Sequence, residues 1–179
     1  MEDQPLHDSF VELHGRRLHG FALLVTLGDQ ALAGMLTAEA LARGAERIGQ
    51  LRHPERAAAW LRASLTEASR GQAWGHQRPS ETQRRGSLLA LGVEPATYDA
   101  LASLDVRGRA AVAAAAVEGF AAADVHEIVG SDERVRRARR DYLTAYLAAS
   151  RTRNATPAGG ALTARVRKAA APVLSESGR

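Results

Sequence analysis

Apolar residues recur along the first third of the chain with the period of an α-helix. One stripe runs through residues 5–27 at steps of three to five positions, and Gly28-Asp29 ends it and caps a second helix over 30–51. Pro54 suits the first position of a third helix, over 54–70. The side chains predicted to form the shared core are Phe21, Leu36, Trp60 and Leu61.

This periodicity stops between residues 71 and 87. The segment GQAWGHQRPSETQRRGS is rich in Gly, Ser, Gln and Arg, which is typical of a connection between structured units. We therefore predict two small helical domains, at 1–70 and 88–150, joined by a flexible linker at 71–87.

Helical periodicity returns after the linker. Short helical pieces are expected within 88–103, and Asp105 is expected to cap a helix over 106–118. A short helix over 121–129 ends at Gly130, and Ser131 is a suitable N-cap for a final helix over 132–149. Two helices separated by a Gly-Ser turn predict a helix-turn-helix in the second domain.

Composition supports an all-α fold without disulfides, thiolate metal sites or membrane spans. Hydrophobic residues make up 45% of the chain but aromatic residues only 4%, which favours helix packing over sheets. Because the chain has no cysteine, disulfides and thiolate metal sites are excluded. No apolar run approaches the ~20 residues of a membrane span, and MEDQPLHDSF lacks the pattern of a signal peptide, so we expect a cytoplasmic protein.

Positive charge is concentrated in two places. Residues 151–179 carry six basic and one acidic side chain, and we predict a loosely ordered basic tail there. The second place is the predicted final helix, where five arginines fall within seven residues: Arg134, Arg136, Arg137, Arg139 and Arg140. Arginine can contact guanine edges and phosphates in the major groove, so this cluster is a candidate DNA-binding face. A solvated basic face is the alternative interpretation.

Signals of catalysis are lacking. The chain has no Gly-rich phosphate loop, no Ser/His/Asp arrangement and no metal-ligand motif, and the five-residue spacing of His14 and His19 is unfavourable for a shared metal. Glu118 and Glu127 are interpreted as helix-surface acids. We therefore expect no enzymatic activity, no metal and no cofactor.

The stretch 104–143 resembles the promoter-reading C-terminal domain of extracytoplasmic-function sigma factors, a group of bacterial RNA polymerase sigma factors. Residues 104–109 are similar to the start of that domain, Val-Glu-Gly-Phe at 117–120 to its Val-Glu-Gly-Leu corner, and 123–130 to its scaffold helix. Val135-Arg136-Arg137 is similar to the start of the recognition helix. The resemblance implies that Arg136, Arg137 and Arg140 contact bases, and Arg134 and Arg139 contact phosphate.

The N-terminal segments 14–33 and 54–62 resemble the core-polymerase-binding domain of the same family. This implies promoter DNA and RNA polymerase core as partners, with an anti-sigma factor or another regulator as a further candidate. Glu39 and Arg43 remain from the family's polymerase-binding positions. At other positions where the family has polar or aromatic residues, this chain has Gly34-Met35, Ala38, Leu41 and Ala45.

Three hypotheses follow from this mixture of kept and lost features. The chain could be a sigma factor that directs transcription initiation. It could instead be a degenerate adaptor or decoy that binds a sigma factor, an anti-sigma factor or an activator without opening promoters. The third hypothesis is an unrelated helical interaction protein.

Overall fold

A computed structural model describes residues 3–51, 53–71 and 78–152. Within these ranges the regular structure is helical throughout and contains no β-strand, which confirms the all-α prediction. The elements are α1 (Asp3–Val25), α2 (Gln30–Ala45), α3 (Pro54–Gly71), α4 (Glu81–Ala90), α5 (Pro95–Ala102), α6 (Val106–Val112), a π-helix (Ala113–Glu118), α7 (Ala122–Val129) and α8 (Asp132–Thr152). The predicted basic tail lies outside the described residues, apart from the last residues of α8.

The corner between α1 and α2 forms where Gly28-Asp29 predicts it. Gly28 has a φ of 81°, and its amide donates to the Leu23 carbonyl at 2.8 Å, which closes the end of α1. The Asp29 carboxylate accepts a hydrogen bond of 3.0 Å from the Leu32 amide and so caps α2. These local contacts explain why the boundary could be recognised in the sequence.

Part of the predicted linker 71–87 is helical. Gly71 is the last residue of α3, and α4 begins at Glu81. Ser80 caps α4 through a reciprocal pair of bonds, in which its hydroxyl accepts from the Gln83 amide at 3.2 Å and its amide donates to the Gln83 side chain at 2.9 Å. The Ser-x-x-Gln spacing is a readable sign of a helix start, so this helix could have been predicted. Residues 72–77 lie outside the described part.

The two halves of the chain pack against each other. Helix α2 packs on α1 and α3, and α8 packs on α5 and α6. Contacts of α3 with α7, and of α1 with α6, join these groups, and their buried apolar residues form one continuous cluster. The seam between the halves is therefore lined by side chains from both, and it contains polar groups described below.

Three of the four predicted core residues are fully buried, and Trp60 is the exception. Phe21, Leu36 and Leu61 have no exposed surface. Trp60 is only partly buried at the edge of the core, where the Arg47 guanidinium lies 5.4 Å from the centre of its ring. Trp60 is thus a peripheral residue rather than the core anchor that its type suggests.

The helix predicted over 106–118 changes its geometry midway. It is α-helical through Val112 and π-helical from Ala113 to Glu118, and it ends at Gly119, whose φ is 73°. The Phe120 amide then donates to the Ala114 carbonyl at 3.1 Å. Because the π-helix widens the turn, Glu118 reaches the seam and does not lie on the surface as the sequence suggests.

None of the helices in the described ranges is long and apolar enough to cross a membrane.

Candidate nucleic-acid interface

Helices α7 and α8 are joined by a short, well-defined turn at Gly130-Ser131. Gly130 has a φ of 80°, and its amide donates to the His126 carbonyl at 2.7 Å. The Ser131 hydroxyl accepts from the Arg134 amide at 3.3 Å, as expected of an N-cap. His126 and Asp132 make a side-chain contact of 2.9 Å across the turn. The turn therefore fixes where α8 begins relative to α7.

The inner face of α8 is anchored by tyrosines. Ala138, Tyr142 and Tyr146 are buried, and the helix packs against α5 and α6. The two tyrosine rings stack with their centres 6.1 Å apart. These contacts hold one side of α8 in the core and leave the opposite side for solvent.

The solvent side of α8 carries four of the five candidate arginines. We call these four the outer arginine face, and it comprises Arg136, Arg137, Arg139 and Arg140, all of them exposed. Arg136 and Arg140 are one helical turn apart, and Arg137 and Arg139 flank them on opposite sides. Four guanidinium groups thus share about one turn of an exposed helix.

Two acids of α8 partly neutralise the outer arginine face. Glu133 accepts from Arg136 at 2.7 Å and lies 3.9 Å from Arg140, while Asp141 lies 3.6 Å from Arg137. The hydrogen bond from Arg136, followed by its charge, lowers the pKa of Glu133. Ion pairs of such exposed side chains are weak and screened by salt, so these arginines can exchange a carboxylate for a phosphate at little cost.

Arg134 differs from the other candidates because it points toward α6. Its Nη1 atom lies 3.8 Å from the Asp105 carboxylate, which caps the start of α6. Its Nε atom is buried and has no hydrogen-bond partner among the described residues. The backbone position of Arg134, next to the turn, therefore gives its side chain a contact outside α8.

The two candidate polymerase-binding residues lie together on α2. Glu39 and Arg43 form an ion pair one turn apart on the solvent side of the helix. Met35, on the preceding turn, is 42% exposed, and nothing surrounds the α-carbon of Gly34 within contact distance of an added methyl group. The surface is accessible, but it carries only one pair of charges.

Two of the polar contacts across the seam involve buried or partly buried groups, and the sequence does not predict them. Arg62 of α3 and Glu118 of the π-helix form a buried, two-bonded ion pair, and the rings of Phe21 and Phe120 flank the guanidinium. Arg109 of α6 donates to the Val25 carbonyl at the end of α1. The partners are 56 and 84 positions apart, and no local spacing signals them.

His14 and His19 do not form a metal site with other side chains of the described residues. His14 is buried, and its ring centre lies 4.7 Å from that of Phe10. Burial, with the charges of Arg62 and Arg17, lowers the pKa of His14, and burial lowers the pKa of His19. In the described part of the chain, no group of three or more His, Asp or Glu side chains is placed to hold a metal ion.

Comparison with protein-family models, with curated protein sequences and with solved structures gives no match to this chain.

Proposed function

We propose that the chain is a sigma-factor-like transcription regulator that binds double-stranded promoter DNA through the outer arginine face of α8. The observation that carries the proposal is the concentration of four exposed guanidinium groups on one turn of a helix whose other side is fixed in the core. This helix follows a shorter one across a glycine turn, which is the order that a helix-turn-helix requires.

The chemistry of this face suits a DNA duplex. The major groove of B-DNA admits one α-helix, and an arginine can make two hydrogen bonds to guanine there. Arg136 and Arg140 project from consecutive turns of the same side, about 6 Å apart along the helix axis. Arg137 and Arg139 flank this line, where they would meet the phosphates on either side.

The test is DNA binding by the full chain at low and moderate salt. The variant Arg136→Ala/Arg140→Ala removes two charges from the outer arginine face. The matched control, Arg56→Ala/Arg70→Ala, removes two charges from exposed positions of α3. We expect the α8 variant to lose at least tenfold in affinity and the control to lose much less, because the control residues lie outside the outer arginine face. General electrostatic attraction to the total charge would instead weaken both variants alike. Equal losses in both variants would contradict a binding face on α8.

The proposal includes RNA polymerase core as a partner of α2 through Glu39 and Arg43. In a pull-down with purified polymerase core, the charge reversal Glu39→Arg/Arg43→Glu should reduce retention while keeping the ion pair within the helix. Glu55→Arg/Arg56→Glu on α3 exchanges an acid and a base at two exposed positions and serves as the control. Unchanged retention of the α2 variant would exclude this face.

The second candidate function is an adaptor or decoy that binds a protein partner and does not open promoters. It is favoured by the surface of α2, where Met35 is exposed and the charges of Glu39 and Arg43 neutralise each other. A chain with no DNA affinity even at low salt would favour this function, and the exposed arginines would then contact an acidic protein.

A further inference from the structure

A recess of about 350 Å³ lies in the seam, next to the corner between α1 and α2. Helix α4 forms one wall, and it lies so close to Gly28 that a Cβ added there would overlap the Arg84 carbonyl oxygen. Helices α5 and α6 form the opposite wall. The side chains that decide its chemistry are Thr26, Ser69, Arg78, Arg84, Tyr98 and Arg109. The recess thus combines residues from both halves of the sequence.

Arg109 is fixed in this recess by two backbone carbonyls. Its Nε atom donates to Val25 at 2.6 Å, and its Nη1 atom donates to Leu104 at 2.6 Å. The Nη2 atom has no hydrogen-bond partner among the described residues. Because the guanidinium is planar and held at two of its three nitrogens, this last donor points in a fixed direction.

Arg84 contributes a second guanidinium to the lining of the recess. Its Nε atom is buried, and the described residues offer it neither a hydrogen bond nor an ion pair. A buried donor without a partner costs free energy, more so on a charged group. Arg78 adds a third positive charge at the exposed rim, also without an ion pair in the described ranges.

The positive charges of the recess repel one another. Burial is the main cause that lowers the pKa of Arg109 to about 10, and the charges of Arg78 and Arg84 act in the same direction, against that of Asp105. Two acids also line the recess, but each already has a contact. Asp29 caps α2, and Glu81 lies 3.5 Å from Arg85 on α4.

Two of the hydroxyl groups of the recess already donate their protons to backbone carbonyls. Thr26 donates to the Ala22 carbonyl at 2.9 Å, and Ser69 donates to the Thr66 carbonyl at 2.8 Å. The donors left for a ligand are therefore mainly guanidinium groups. Such a donor set selects a compact anion with several acceptor oxygens and more than one charge, and phosphate is the group that arginine binds best in this way.

We propose that this recess is a binding site for a small phosphate-bearing anion, with Arg84 and Arg109 as the inner ligands and Arg78 at the rim. A diphosphate group fits the volume and the charge. A bound anion would face the guanidinium groups of Arg84 and Arg109 and would connect α4 and α6 to the corner between α1 and α2. Its occupancy would therefore stabilise the packing of the two halves.

The experiment is binding of inorganic pyrophosphate to the full chain by calorimetry, with thermal unfolding in parallel. Sodium chloride at equal ionic strength controls for general salt effects. We expect saturable binding and a rise in Tm that chloride does not reproduce. Arg84→Gln should raise the Kd about tenfold or more, as expected for a lost charge-assisted hydrogen bond. Arg56→Gln, which removes an exposed charge from α3 outside the recess, should leave the Kd unchanged.

Arg78→Gln is the second variant, in case Arg84→Gln impairs folding. Arg78 is exposed, so its replacement should raise the Kd without lowering the Tm of the unbound protein. Titration with ADP distinguishes the source of the phosphate: tighter binding than pyrophosphate indicates a nucleotide, and equal binding indicates the diphosphate group alone. The proposal is overturned if pyrophosphate shifts Tm no more than chloride does, or if Arg78→Gln and Arg84→Gln both bind like the unmodified chain.

Discussion

Arg62 and Glu118 form a two-bonded ion pair in the seam between the halves of the chain, where their side chains are only 3% and 8% exposed. Arg62 also donates to the Ala58 carbonyl of its own helix at 2.9 Å. The Phe120 ring packs against the guanidinium of Arg62, and the ring centre lies 5.0 Å from the Cζ atom. The pair therefore links α3 to the π-helix through charges that water cannot screen.

Breaking this pair should be costly because one charge would stay buried without its partner. We expect Glu118→Gln and Arg62→Met each to lower the free energy of unfolding by ~3–5 kcal/mol. The double variant Arg62→Met/Glu118→Leu removes both charges and should recover much of that loss. The measurement is urea unfolding of the full chain.

Glu39→Gln provides the control for the buried pair. It breaks an exposed ion pair on α2 and should cost less than ~1 kcal/mol. If Glu118→Gln were as mild as Glu39→Gln, the seam would be open to water and the two halves would not be held by this contact.

Gly28 should not tolerate a side chain. Its φ of 81° is unfavourable for other residues, and an added methyl group would overlap the Arg84 carbonyl oxygen of α4. We expect Gly28→Ala to lower the free energy of unfolding by ~2 kcal/mol or more. Gly34→Ala is the matched control, since nothing surrounds that position in α2, and it should raise stability by ~0.5–1 kcal/mol. Urea unfolding should give opposite signs for the two variants, and a gain in stability from Gly28→Ala would contradict the strained, crowded corner.

Trp60 should contribute less to stability than its size suggests. Phe21→Ala removes a fully buried ring and should cost ~3–5 kcal/mol. Trp60→Ala removes a ring that is partly exposed beside Arg47, and we expect a loss of only ~1–2 kcal/mol. The quenching of Trp60 fluorescence by acrylamide checks its exposure independently, in a variant that has Trp74 replaced by Phe. A loss from Trp60→Ala as large as that from Phe21→Ala would contradict the peripheral position.

The free energy of unfolding should fall as the pH drops below 6.5. Burial lowers the pKa of His14 and His19 in the folded state, while the unfolded chain keeps values near 6.5. Below that pH the unfolded chain binds more protons than the folded chain, so stability that is present at neutral pH is lost on acidification. The free energy of unfolding, measured at pH 8 and pH 5.5, should fall less in His14→Gln/His19→Gln than in the unmodified chain. An equal fall in both proteins would show that the loss comes from carboxylates alone.

Helix boundaries that depend on local contacts could be predicted from the sequence, whereas the contacts across the seam could not. Asp29 and Ser131 each cap a helix by accepting a hydrogen bond from an amide three positions later. Asp and Ser are common capping residues, so the sequence predicts these caps. The π-helix could not be predicted, because an alanine-rich run is the best α-helix former and nothing in it indicates a change of helix type. Without that change of geometry, Glu118 would be read as a surface acid.

The same contrast applies to the candidate interface. The cluster of arginines on α8 is evident from the sequence, and four of them are exposed as expected. The different environment of Arg134 depends on Asp105, which lies 29 positions earlier and approaches only because α6 packs on α8. Sequence spacing therefore predicts the cluster, whereas tertiary packing gives Arg134 an environment different from that of the other four arginines.

Single arginines of α8 should differ in their effects, because Arg134 and the outer arginine face have different environments. Arg136→Ala should cost ~1–3 kcal/mol of DNA-binding free energy, because the side chain is exposed on the outer arginine face. A contact to a base would relax preference at one position, whereas a contact to phosphate would weaken all sequences alike and reduce the salt slope by about one. Arg134→Ala should change DNA affinity little and should instead lower the free energy of unfolding, since Arg134 faces Asp105 and its Nε atom is buried.

The measurement is salt-dependent DNA binding by the full chain, with urea unfolding of each variant beside it. Asp105→Asn separates the two roles, because it removes the charge that Arg134 faces without touching the outer arginine face. If Arg134 acts within the fold, Asp105→Asn should lower stability and leave DNA affinity unchanged. Should Arg134→Ala weaken DNA binding as much as Arg136→Ala at unchanged stability, Arg134 would be a phosphate contact, as the sequence resemblance implies. In that case α8 would contact DNA with the side facing α6 as well as with its outer side.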